Sequence, residues 1–404
     1  MNTNTGFAGR LAATFVQSKL TPVLALSSIL LGLLAVWLTP KEEEPQISVP
    51  MVDIQVPSPG FSAAEVERKV TEPMERAVWG LDGVEYVYSA SRAHGALITV
   101  RFKVGEPMEP SLVKIHHKLM SIKSELPATV GQPLVKAFSI DDVPFLTLTF
   151  SSKTKSDYEL RGVVAPLARE LSSTPDLSRV ELRGGLKRAI RVIVDPARLQ
   201  ARGVSLMAVA QALKSNDASG PAGKTWGQDH VYDVEVGGRI ITVTDVENIA
   251  VGQRGGAVVR VRDVARIVDG PEAMTRASVL LDRERGGQPE RAVSIVFAKR
   301  KGTNVVVLAA QLLKRAHAFS AGLPPGVVMS VVRNYGSTAA DKSMELIEHL
   351  LLATLSVTVL IALVMGIRAS LVVATAIPVT LALTLAIYYF MGYTLNRVTL
   401  FALI

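Results

Sequence analysis

Few side chains in this sequence stand at spacings that chemistry uses. His116 and His117 are adjacent. On a helix they point to different faces, so they do not clamp one metal ion. Glu345 and His349 are four residues apart and share a helix face, but two ligands make a weak metal site. A solvated pair beside a membrane helix is the expected reading. Asp141-Asp142 could attract a cation, yet adjacent carboxylates just before Pro144 read first as a solvated loop. The pairs Gly184-Gly185, Gly237-Gly238 and Gly255-Gly256 lack the spacing of a phosphate-binding loop and read as turns. No nucleophile elbow, P-loop or dinucleotide fingerprint occurs. The absence of cysteine removes disulfides and thiolate metal sites. The expectation is a protein that is not an enzyme and holds no cofactor or metal.

The elements around these residues say more. The chain has 404 residues, too many for one ordinary soluble domain, and 49% of them are apolar. The net charge of +8 is scattered, with no dense basic run interleaved with aromatics, so nucleic acid is not an expected partner. Leu350 to Ile367 carries no charge, Arg368 interrupts, and Ala369 to Leu395 is again uncharged. Each run can cross a bilayer core of about 30 Å, which takes about 20 helical residues. A further apolar run begins at Val398 and reaches Ile404. Near the N-terminus, Leu20 to Leu38 is a third crossing. It is too long for the apolar part of a signal peptide, and no small-x-small cleavage site follows Trp37. The lipid bilayer is thus an expected partner.

Basic residues near membrane ends favour the cytoplasm. Arg10 and Lys19 precede the first span, and Arg368 sits between the second and third. Both facts predict an inside N-terminus, about 300 residues outside, then a helical hairpin with its turn inside. An ionisable group within the hydrocarbon region would cost about 2.5–3.5 kcal/mol and would signal proton or ion coupling. None of the three runs contains one; Gly366 and Pro378 are their only helix irregularities of note.

The exported segment contains a repeat. Val52, Ile54 and Val56 alternate with polar neighbours as in a half-buried strand. Ser62 to Glu65 is a capping box, and Val66, Val70 and Met74 line one face of the helix it opens. Pro73 should bend or weaken that helix. Val84 to Ser91 and Ala96 to Phe102 read as strands around His94. Leu112, Ile115, Leu119 and Ile122 mark a second helix, and Leu134 to Ile140 a last strand. The order is βαββαβ, a split-βαβ arrangement. The same signals return with strand Phe145 to Phe150, capping box Ser156 to Glu159, and the stripe Leu160, Val164, Leu167 and Leu171. The two capping boxes are 94 residues apart, whereas Gly105 and Gly302 are separated by 197. That difference places an insertion of about 100 residues where the first copy has only the His94 turn.

Inside the insertion, Ala189 to Val194 alternates, Asp195-Pro196 punctuates, and Val258 to Val268 is rich in β-formers. Between them, Ser215 to Lys224 is polar and turn-forming, including Asn216, Asp217, Gly220, Pro221 and Lys224. A long exposed loop in a compact domain is either floppy or projects to touch something, and Trp226 beside it favours contact with a partner.

Several longer stretches together resemble the N-terminal part of resistance-nodulation-division (RND) efflux transporters. They are Gly60 to Glu67, Val70 to Glu75, Asp195 to Leu199, Val261 to Arg266 and Leu395 to Phe401. The resemblance implies a Gram-negative inner-membrane pump, proton-driven and usually trimeric. It also implies a periplasmic porter of split-βαβ subdomains, with an inserted docking subdomain whose loop reaches a neighbouring protomer. A periplasmic adaptor and an outer-membrane channel would complete the pathway. In that family paired aspartates of the fourth helix take up protons, and they would fall after Ile404. Two positions match the family's substrate pocket: Phe145, and Arg183, where drug pumps carry an aromatic. The arginine implies anionic or amphiphilic cargo.

The expected fold is therefore membrane α-helical plus α+β. Residues 1–39 would hold the cytoplasmic N-terminus and first span, and 40–140 the first porter subdomain. Residues 141–184 and 273–338 would form the second, 185–272 the docking subdomain, and 339–404 the remaining spans. The expected function is one half of a proton-driven efflux permease, inactive as a pump alone because it lacks the proton relay. The alternatives are a membrane-anchored periplasmic binding or assembly module, or the product of a truncated transporter gene.

Overall fold

The computed structural model describes residues 15, 18–43, 49–138, 142–227 and 229–403. Arg10, Ile140, Asp141 and Ile404, invoked above, lie outside them.

The first span, α1 (Leu20–Leu38), matches its apolar run at both ends. The chain then enters strand β1 (Met51–Pro57) and the capped helix α2 (Ala63–Val66). One π turn, Glu67–Thr71, follows before α3 (Glu72–Trp79). The expected disturbance by Pro73 takes this form. A proline has no N–H to offer the carbonyl one turn back, and a widened turn just ahead of it absorbs the mismatch. Val66, Val70 and Met74 are nonetheless fully buried. Strands β2 (Val84–Arg92) and β3 (Gly95–Phe102) form a hairpin whose tight turn holds His94 at a φ of 69°. Helix α4 (Met108–Ile122) and strand β4 (Leu134–Phe138) complete the unit. The sheet order is β2-β3-β1-β4, with every pairing antiparallel. Its core joins Ile54, Ile98, Val100 and Phe102 of the sheet to Val70, Met74 and Ile115 of the helices. Each such fully buried side chain contributes about 1.5–3 kcal/mol.

Strand β5 (Pro144–Ser152), helix α5 (Asp157–Leu171) and strand β6 (Leu177–Gly184) open a second unit. The chain then leaves it through β7 (Arg188–Val194), α6 (Pro196–Arg202) and α7 (Leu206–Asn216). A ribbon of β8 (Ala218–Trp226) and β9 (Val231–Gly238) follows, then α8 (Val243–Asn248), β10 (Ala250–Arg254) and β11 (Ala257–Arg260). One helical turn, α9 (Val261–Val264), precedes β12 (Ala265–Pro271), which pairs with β7 on the way back. Two expectations change here. The β-rich run Val258 to Val268 is broken at α9, because the Asp263 carboxylate accepts from the Arg260 backbone N–H at 2.8 Å and starts a turn. Of the polar stretch expected as a loop, Ser215 and Asn216 close α7 and Ala218 to Lys224 belong to a paired ribbon.

Strands β13 (Val279–Leu281) and β14 (Pro289–Lys299), helix α10 (Val305–Ser320) and strand β15 (Val327–Asn334) finish the second sheet. Strand β14 lies between β5 and β6, and β5 pairs with β15. The order β6-β14-β5-β15 has the same form as β2-β3-β1-β4, with α5 and α10 standing where α2–α3 and α4 stand.

Helix α11 (Tyr335–Met365) begins well before the apolar run at Leu350, so the second span grows out of the extramembranous domain as one continuous helix. Gly336 permits its close approach to α10: a Cβ there would lie 2.5 Å from the Ala309 Cβ. Gly366, at φ 88°, ends α11, and α12 (Ile367–Phe390) returns with Arg368 in its first turn. A short helix, α13 (Arg397–Phe401), follows. Among the described residues, α1, α11 and α12 are the three helices long and apolar enough to cross a membrane.

Candidate functional site

A cleft of about 550 Å³ opens where β4 of the first unit meets β5 and β6 of the second. Its walls carry Met51, Phe138 and Val143, and five charged groups: Lys136, Arg179, Arg183, Asp142 and Glu181. The Arg183 guanidinium donates to Glu181 Oε2 at 3.0 Å. Arg179 lies 3.7 Å from Asp142 Oδ1 and 4.0 Å from Glu181 Oε2. Lys136 stands 5.1 Å over the Phe138 ring. The hydrogen bond from Arg183 holds the Glu181 carboxyl below the usual carboxylate range. Half of the Arg183 side chain is exposed. Ion pairs this open are worth only about 0–1 kcal/mol, so either arginine can exchange its carboxylate for an anionic ligand at little cost. Cations outnumber carboxylates on these walls, three to two.

Phe145 is not part of this surface. It is 2% exposed and belongs to the core beneath the second sheet. The physical reason is a β-bulge. Leu146 pairs with Phe297 and Pro144 with Ala298, so Phe145 is the extra residue and its ring joins Leu146 in the core. Arg183 is thus on the cleft and Phe145 behind it.

The remaining predicted site residues cluster on the inserted piece. Asn216 ends α7, its side-chain amide donating to the Ala212 carbonyl at 2.8 Å. Asp217 Oδ1 accepts from the Ile240 N–H at 3.2 Å and pins the base of the ribbon. Gly220, Pro221 and Lys224 lie along β8, which bulges between Pro221 and Gly223. Lys224 pairs across the ribbon with Asp233 at 3.3 Å. Trp226, Val231 and Tyr232 are more than half exposed near its tip. The core of this piece is built from Val209, Val246, Val251, Val259 and Val264, with no ribbon residue among those described. A lone two-stranded ribbon is marginal in water.

The sequence pairs considered for metal binding gain no third ligand among the described residues. His116 lines a separate groove of about 580 Å³ beside Pro127 and Pro133. Glu345 pairs with Lys342 at 2.6 Å, which keeps its carboxyl below the usual range. Among the described residues no three His, Cys, Asp or Glu side chains gather as a metal site. One cluster went unforeseen. Glu42, just past α1, is buried and ion-paired with Lys299 of β14, and its other oxygen accepts from Thr394 Oγ1 at 3.1 Å. Its only signal in sequence is a charged run directly after a membrane span.

Three membrane-length helices carrying a much larger α+β body define a polytopic membrane protein whose bulk stands outside the bilayer. The comparisons with known proteins give the family. Residues 11–404 match the AcrB/AcrD/AcrF family, and the chain belongs to it, among the RND permeases. Similar proteins include multidrug resistance protein MdtC of Yersinia pseudotuberculosis (strain IP 31758) and of Yersinia pestis. Each is 26% identical over 396 residues, which is 97% of this chain and 38% of the relative. The chain thus spans well under half the length of these curated relatives.

Proposed function

We propose that this chain is the N-terminal part of a proton-driven efflux permease of the Gram-negative inner membrane. The extramembranous body is its periplasmic porter. In this reading the two sheets of like order are split-βαβ porter subdomains (40–140, then 141–184 with 273–338), and residues 185–272 are the docking subdomain. The single observation that carries the reading is the family match along nearly the whole chain. The shared strand order of the two sheets supports it.

The cleft between the sheets is the substrate path, and its Arg179 and Arg183 select anionic amphiphiles. Apolar walls at Met51, Phe138 and Val143 take the hydrophobic part of such cargo. The ribbon of β8 and β9 reaches a neighbouring protomer of a trimer, where Trp226 and Tyr232 gain the apolar cover they lack here. A periplasmic adaptor and an outer-membrane channel receive the cargo. Residues Leu20–Leu38, Leu350–Met365 and Ala369–Phe390 contain no ionisable side chain apart from their tyrosines. The proton-binding groups therefore belong to other parts of the permease, and this segment alone does not pump.

Export by the native gene product in a pump-deficient Gram-negative strain tests the function. Anionic bile-salt-like amphiphiles and neutral amphiphiles of similar size are compared. The wild type should favour the anionic set, and Arg183→Phe should cut that preference about tenfold, the cost of about 1.4 kcal/mol of recognition. Unchanged selectivity removes Arg183 from the path; no export of any amphiphile removes the transport reading.

A further inference from the structure

Glu42 sits where three parts of the chain meet. It follows α1, and its backbone N–H donates to the Leu395 carbonyl at 3.0 Å, just beyond α12. The Leu395 N–H in turn donates to the Pro40 carbonyl at 2.9 Å. One residue earlier, the Lys41 carbonyl accepts from the Val305 N–H at 3.1 Å, at the first residue of α10. Glu42 is 3% exposed, and its carboxylate is shared between Lys299 at the end of β14 and Thr394. Thr394 is braced by Asn396, which is 2% exposed. The Asn396 side-chain oxygen accepts from both Val398 and Thr399 N–H at 3.0 Å and caps α13. The short segment Pro40 to Glu42 thus joins the exit of the first span to three places: its backbone holds Leu395 and the start of α10, and its one buried carboxylate reaches Lys299 at the end of β14 and Thr394.

Burying a carboxylate and an ammonium costs several kcal/mol of desolvation per ion, recovered only with good geometry and further hydrogen bonds. A packed apolar joint would hold the same elements together as well or better. What an ion pair adds is direction. It fixes β14 to one position relative to α1 and resists displacement along the bond. Surface fraying does not explain it, since the Lys299 side chain is only 16% exposed.

We propose that the Glu42–Lys299 pair is the mechanical link that carries movement of the membrane helices into the second sheet. It acts as a positioning pair, touching neither proton nor cargo. The inference rests on the transport reading above and deepens it. Any shift of α12 and α13 moves Thr394 and Leu395, hence Glu42. Lys299 then pulls on β14, the central strand next to β6, whose Arg183 lies on the cleft.

The test uses the native gene product with Lys299→Met, Glu42→Gln, the double Glu42→Gln/Lys299→Met, and the swap Glu42→Lys/Lys299→Glu. In lipid nanodiscs, amide hydrogen exchange is read at Val305 and Leu395, with β5 as an internal control. In cells, membrane level and export rate are read. The single variants should exchange at least tenfold faster at both amides, with β5 unchanged. They should export at least tenfold more slowly at an equal membrane level. The swap should recover most of both. Unaltered exchange means the pair does not hold the joint and overturns the proposal. Faster exchange with full export leaves a structural joint and overturns the coupling. Where the single variants fail to reach the membrane, the neutral double variant, with no unpaired buried charge, decides by the same readings. A wild type that exports nothing overturns the transport reading, and the coupling with it, even where its exchange behaves as described.

Discussion

At the scale of single residues, the cleft is governed by how one arginine divides its time between a carboxylate and solvent. Arg183 and Glu181 lie on the same strand two positions apart, so both project from one face of β6. Their hydrogen bond stabilises the charged carboxylate, which is why Glu181 titrates low; nearby Arg179 adds to the effect. The linkage has a definite sign. A carboxylate with a lowered folded-state pKa contributes its stabilisation above the ordinary carboxylate value and loses it as pH falls through the lowered value. Near neutral pH the carboxylate is charged and the pair can form, and protonation removes it only as the pH falls through the lowered value. Replacing Arg183 by leucine should move the Glu181 titration back up toward the ordinary range. Isotope-edited infrared titration of the purified protein, with Glu181→Gln subtracted as the blank, reads this directly. A midpoint that does not move would mean that Arg179 alone sets the carboxyl, and that Arg183 is already free for ligand.

At the scale of elements, the membrane part depends on close approach rather than on charge. Lipid tails are as apolar as leucine, so helices in a bilayer associate through small residues that let backbones meet. Gly32 of α1 does this against α12. A Cβ at Gly32 would lie 2.4 Å from the Ala382 Cβ and 2.5 Å from its Cα, so the obstacle is backbone that cannot swing away. Gly32→Ala should therefore cost about 1–3 kcal/mol by overpacking. The control is Leu33→Ala, whose side chain is 64% exposed and faces lipid, and which should be nearly neutral. Thermal unfolding in detergent compares the two. Equal melting of Gly32→Ala and wild type would show that the α1–α12 contact is looser than the geometry demands.

At the scale of the molecule, the sequence was legible wherever a rule is local. The spans followed from uncharged runs, and both Ser-x-x-Glu boxes open helices as read, the second with both capping bonds and the first with Glu65 accepting from the Ser62 N–H and hydroxyl. The stripe Leu160, Val164, Leu167 and Leu171 is fully buried. What stayed hidden depends on partners distant in the chain. Glycines and a proline make Gly220 to Gly223 look like turn, but pairing with β9 makes it strand. Phe145 left the cleft because of a bulge opposite β14, which nothing near Phe145 announces. Glu42 finds Lys299 and Thr394 across separations of 257 and 352 residues. The same long-range contacts fix the orientation of the spans. The Lys41–Leu395 bridge places the ends of α1 and α12 together, and α11 leaves the body at Tyr335. Lys19 and the Gly366 turn with Arg368 are then at the far ends of the spans, away from the body. Positive charge favours the cytoplasm, which supports the proposed placement of the body on the other side. These 404 residues contain no cysteine, so a single thiol introduced among them, in an otherwise cysteine-free gene product, reports its own location. In cells with a permeabilised outer membrane, a membrane-impermeant maleimide should label Lys153→Cys, which is exposed on the body and outside the ribbon, at once. It should reach Arg368→Cys only after the inner membrane is broken. Protection of that cysteine while the inner membrane is intact would invert the protein, and would put the cleft and its arginines in the cytoplasm, where an export path cannot open to the periplasm.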